Sequence, residues 1–147
     1  MPVNYYLQFN YLIAYVLFVN KSFDEALTCL EEIKKPKYKT ILEELRYAAN
    51  RLYFLCHFEL DNVLLLDSLM YSMKRLQKKD NRQIAVDDLL FKFLRQIANS
   101  VLGRVERNQM FKQLQSQMQL LKLDSMNKKA WVYFDFDKWL DEKINNF

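Results

Sequence analysis

The chain holds one histidine and two cysteines among 147 residues, so the side chains suited to nucleophilic or metal chemistry can be weighed one at a time. His57 stands between Cys56 and Phe58. Neighbours on a helix point about 100° apart, too far round for an imidazole to take the proton of an adjacent thiol. His57 is therefore read as a packed or rim histidine. Cys29 and Cys56 share no short-spaced motif with it, and zinc needs such clustering. Both read as small core hydrophobes of a reducing compartment, and nothing in their spacing indicates a disulfide. The carboxylate pairs Glu31-Glu32, Glu43-Glu44 and Asp87-Asp88 suit first turns or solvated helix faces better than acid–base work. A single glycine excludes both the dinucleotide fingerprint and the P-loop. The expectation is no catalytic residue, no metal and no cofactor: a protein that binds and does not catalyse.

Binding chemistry has more to draw on. Basic residues gather at Lys34-Lys35-Lys37-Lys39 and again at Lys74, Arg75, Lys78, Lys79 and Arg82. Both runs fall where helices are expected to end, and cations suit that end of the helix dipole. Solvated helix termini are the first reading. A patch for nucleic acid or an acidic peptide is the second, kept open by Tyr38 among the lysines, since single-strand binding joins cations to stacking rings. The net charge of +4 is modest for a dedicated nucleic-acid binder. Aromatic residues make up 15% of the chain, enough to leave some outside the core. Tyr5, Tyr11, Tyr47 and Tyr71 alternate with apolar stripes and are the candidates for a partner-binding groove.

The elements that must carry these residues are helical. One glycine and two prolines leave little for the tight turns of strand-rich folds. About seven helices are expected in one domain spanning 1–147, as hairpins at about 4–36, 39–79 and 86–123 and a capping helix at about 135–147. The first helix, from about Asn4 to Val19, is apolar nearly all round and calls for neighbours on more than one side. Ser22 with Glu25, and Thr40 with Glu43, have capping-box spacing. Pro36 helps end the second helix, and Asp61 can cap the fourth. Stripes follow at Leu45, Ala49, Leu52 and Cys56, then at Leu65, Leu69, Met73 and Leu76, then at Leu90, Phe93, Leu94, Ile97 and Val101. Gly103 is placed at a helix terminus. Phe111, Leu114, Met118 and Leu121 form the next stripe, backed by a glutamine-rich face at Gln113, Gln115, Gln117 and Gln119. The last helix sets Phe136, Leu140, Ile144 and Phe147 on one side, running to about Asn146. Apolar runs here fall short of a bilayer span, and no secretory signal is visible, so a cytoplasmic protein without a membrane role is expected.

Phe23, Ala26 and Leu30, after the turn Asn20-Lys21-Ser22, resemble the second helix of a tetratricopeptide repeat, with Ala14 at the small position of the first. Asn10 stands where that family has tryptophan, and Pro36 comes about two residues early. Phe58-Glu59-Leu60, Leu64–Arg75 and Phe136–Ile144 look like a group of bacterial helical-repeat proteins related to it. The resemblance implies an α-solenoid that binds a protein or peptide, and it brings no catalytic residues. Members of that group often extend further at the N-terminus. The apolar first helix is thus expected to meet earlier repeats of the same chain or a second copy in a homodimer. Nucleic acid is the weaker alternative.

Overall fold

The computed structural model describes residues 1–145, and these are all-helical, with no strand among them. Asn146 and Phe147, assigned above to the last helix, lie outside the described residues. The chain divides into two compact units, Met1–Leu66 and Asp67–Phe147. The first contains α1 (Val3–Val19), α2 (Phe23–Ile33) and α3 (Glu43–Glu59). The division falls inside α4 (Val63–Lys79). The second continues with α5 (Ala85–Asn99), α6 (Arg104–Lys122), two single turns α7 (Ser125–Lys128) and α8 (Ala130–Tyr133), and α9 (Phe136–Asn145).

In the first unit α1 and α2 pack as a hairpin and α3 packs against both. Leu7, Tyr11, Ala14 and Phe18 form the buried seam of α1, facing Ala26, Leu27, Leu30 and Ile33 of α2. Ala14 and Ala26 are wholly buried, the small residues that let two backbones approach. Helix α3 is buried along most of its length, Asn50, Arg51 and His57 included.

In the second unit α5 packs on α6, and α6 on α9. Val86, Leu90, Leu94 and Ile97 bury one side of α5, and Phe111, Leu114 and Met118 one side of α6. The tail closes this core with rings: Phe134 and Trp131 lie 4.9 and 5.1 Å from Phe136, and Phe111 lies 6.4 Å from Trp139, all tilted or edge-on as aromatic quadrupoles prefer. Two glutamines of α6 also hold α9. Gln119 Nε2 donates to Asp137 at 2.6 Å and Gln115 Nε2 to Asp141 at 2.7 Å. Lys122 Nζ at 2.6 Å and Trp131 Nε1 at 3.2 Å complete the cluster on Asp137.

One device ends α1, α3 and α4. In each, the residue after the C-cap takes a left-handed conformation: Lys21 at φ 63°, Asp61 at φ 60°, Asn81 at φ 52°. The next amide reaches back to the last full turn, Ser22 to Leu17, Asn62 to His57 and Arg82 to Gln77, at 2.8 to 3.0 Å. These are Schellman closures made without glycine.

Several local expectations are corrected by this geometry. Ser22 makes no side-chain cap, because the closure on α1 already sets its backbone. Helix α3 starts after Leu42, itself left-handed, so Thr40 is not its cap. Asp61 terminates α3 and does not cap α4. Gly103 opens α6, its N–H donating to Glu106 Oε2 at 2.6 Å, while α5 ends earlier at Asn99 and leaves Val101 exposed. The buried positions of α4 are Leu66, Met70, Met73 and Gln77, a seam rotated from the expected Leu65, Leu69, Met73 and Leu76. No described helix is long and apolar enough to cross a membrane.

Candidate functional site

The rotated seam of α4 brings Gln77 inward, only 6% exposed. Its Oε1 accepts the Ile84 N–H at 3.2 Å, which pins the loop between α4 and α5 to the helix. Its Nε2 is buried with no hydrogen-bond partner. An amide donor left in that condition costs about 1–3 kcal/mol.

Gln77 and Met70 line a groove of about 600 Å3 within the second unit. Lys74 and Lys78, one turn apart on α4, stand along one side. Asp88, Lys92 and Arg95, successive turns of α5, stand along the other, and Arg82 comes from the pinned loop. Five cations and one carboxylate thus share one concave surface. Arg95 is held in place by an ion pair from its Nε to Asp67. Such a set focuses positive potential and offers several charge-assisted hydrogen bonds to an anion.

Of the basic residues singled out by sequence, Lys74, Lys78 and Arg82 line the groove. Arg75 does not; its guanidinium donates to Ser72 Oγ at 3.2 Å, and Lys79 is exposed away from the lining. Lys92 and Arg95 were missed. They belong to no basic run, and only the packing of the second unit places them opposite Lys74 and Lys78. Gln77 left a weak signal, a polar residue four positions after Met73 at helical spacing.

The tyrosines separate in the same way. Tyr47 is 1% exposed and Tyr11 is also buried, so both rings are core and offer no contact face. Tyr71 is exposed and lies within electrostatic reach of Arg95 at the groove. Tyr5 is exposed on α1, in the other unit.

No family model, curated protein or solved structure matches the chain.

The remaining chemistry-bearing groups have structural surroundings. Burial pushes the Cys56 thiol up to about 12, so no thiolate forms there at neutral pH. His57 accepts at Nδ1 from Asn62 Nδ2 at 3.0 Å and stacks edge-on to Tyr53 with centroids 4.7 Å apart. Burial first, then the nearby Lys34 charge, lowers its basicity. In the other basic cluster, the Lys34 ammonium sits 3.4 Å from the centroid of Tyr53, and burial pushes it down to about 8. Lys35 pairs with Glu32 at 2.5 Å, and Lys37 lies 5.0 Å from the centroid of Tyr38. These cations meet rings and carboxylates of their own unit. Among the described residues no group of three histidine, cysteine or carboxylate side chains stands close enough to hold a metal ion.

Proposed function

We propose that the chain is a non-catalytic binding module of helical-repeat type, and that its groove holds an acidic segment of a partner protein. The observation that carries this is the convergence of Lys74, Lys78, Arg82, Lys92 and Arg95 on one concavity above a buried, unsatisfied Gln77 amide. The cations supply attraction over a floor that Met70 and Gln77 line. Asp88 in the lining and Asp67 on Arg95 break the positive surface into short stretches, which suits separate carboxylates on a peptide better than a continuous phosphate backbone. Recurrent Schellman closures on helices of similar length, together with the tetratricopeptide-like turn at Lys21, support the reading of the fold as a short solenoid.

The test is fluorescence anisotropy with two labelled probes, a glutamate-rich peptide and a mixed-sequence single-stranded oligonucleotide, across salt. The peptide is expected to bind, and the double reversal Lys78→Glu with Lys92→Glu to weaken it by about ten-fold or more. Preferential binding of the oligonucleotide with a steep negative log–log salt slope would replace the protein partner with nucleic acid. Peptide binding untouched by the double reversal would overturn the groove as the site.

A further inference from the structure

Two contacts fix how α4 and α5 lie along the groove. At one end Gln77 Oε1 accepts the Ile84 N–H at 3.2 Å, and at the other Asp67 holds the Arg95 guanidinium. From the first contact to the second is ten positions back along α4 and eleven forward into α5, so the two helices run antiparallel in one register. The lining side chains can therefore be placed level by level. Lys78 and Arg82 stand at the loop end, and one turn further Lys74 stands level with Asp88. Another turn on, Lys92 stands level with Met70, and the Asp67–Arg95 pair closes the far end.

Positive charge is uneven along this axis. At the loop end Lys78 and Arg82 reinforce each other, and at the far end Asp67 offsets Arg95. Asp88 stands between Lys74 across the groove and Lys92 one turn along its own helix, and repels a carboxylate from the middle. Two attractive places remain, at Lys78 and at Lys92. Eight positions of α4 separate their levels, about 12 Å at a rise of about 1.5 Å each. An extended chain advances about 3.3 Å per residue and turns every second side chain to one face. Same-face carboxylates then fall about 7 Å apart at a spacing of two and about 13 Å at a spacing of four, and only the second reaches both places. A helix is the poorer occupant: a cylinder about 10 Å across and about 15 Å long fills roughly 1,200 Å3, twice the groove's 600 Å3.

We propose that the groove selects an extended partner segment with two acidic residues four positions apart and an uncharged residue midway between them. This rests on the groove being the site for an acidic segment, and adds the spacing that it reads. One carboxylate meets Lys78 and Arg82, the other meets Lys92, and the residue between them passes Lys74 and Asp88, where an added negative charge gains nothing.

The test is fluorescence anisotropy of the full chain with labelled peptides of an alanine–glutamine host, at one salt concentration. Two peptides of identical composition carry a pair of glutamates, four apart in one and two apart in the other, so general attraction to their charge is equal. The wider pair is expected to bind about ten-fold or more tighter. Lys92→Gln should remove that preference; Lys92 is exposed, so helical circular dichroism should stay unchanged. A third peptide adds a glutamate midway in the wider pair. It should gain nothing over that pair with the natural chain and should gain with Asp88→Asn. Equal binding of the two pairs, still lost on the double reversal of Lys78 and Lys92, would overturn the spacing and leave the groove standing. A preference that survives Lys92→Gln would overturn the second carboxylate place. No binding of any acidic peptide would overturn the groove and the spacing together.

Discussion

His57 shows how one residue can tie the first unit to pH. Its Nδ1 accepts from Asn62, so the neutral ring carries its proton on Nε2, a buried atom with no partner. Protonation would turn Nδ1 into a donor facing a donor and would place a charge beside the Tyr53 ring and the Lys34 ammonium. The folded state therefore binds this proton less readily than the unfolded chain, as burial and Lys34 dictate. The sign follows: stability is highest above the ordinary histidine value of about 6.5, where both states are neutral, and declines as pH falls below it and the unfolded chain takes up the proton first. Urea unfolding from pH 7.5 to 5.5 should show that decline, and His57→Gln should flatten most of it, since this is the only histidine in the chain. The same neighbourhood keeps Cys56 protonated, so its role is volume and not reactivity.

At the scale of elements, three helices stop where no helix-breaking residue stands. Lysine gains nothing in the left-handed region from its side chain, whereas asparagine and aspartate tolerate it through short polar contacts. Lys21 is thus the costliest of the three closures. Replacing it by glycine removes about 1–2 kcal/mol of backbone strain and adds about 0.5–1 kcal/mol of chain entropy to the unfolded state. Lys21→Gly should gain on the order of 0.5–1 kcal/mol in urea unfolding, while Asn81→Gly should change little. These closures explain why helix ends were readable only in outline. Polar runs at Asn20-Lys21-Ser22 and Lys78–Arg82 marked the breaks. The capping pairs Ser22/Glu25 and Thr40/Glu43 matched in spacing but lost to backbone hydrogen bonds that no side-chain pattern announces. Gly103 misled because glycine serves either end of a helix, and here the Glu106 carboxylate decided which.

For the whole molecule, composition and 3.6-residue periodicity were enough to give an all-helical chain, since one glycine and two prolines leave few alternatives. The candidate groove was legible by half. Its α4 side lies in a basic run, but its α5 side is set by a one-position rotation of the α4 seam that buries a glutamine where a leucine was expected. The aromatic tail was seen as a closing element, and the fixing of α9 by Gln115 and Gln119 turns a face read as merely polar into a hydrogen-bonded contact.

Helix α3 packs against α1 and α2 and carries twelve buried residues among its seventeen. A helix so shielded has no exposed face from which to fray. Its amide protons can reach deuterated solvent only when the first unit comes apart, so they should exchange more slowly than those of α1, whose outer half opens directly to solvent. Hydrogen–deuterium exchange read peptide by peptide should find residues 47–58 the last in Met1–Leu66 to take up label, and exchange there as fast as in residues 3–19 would contradict the burial described for α3.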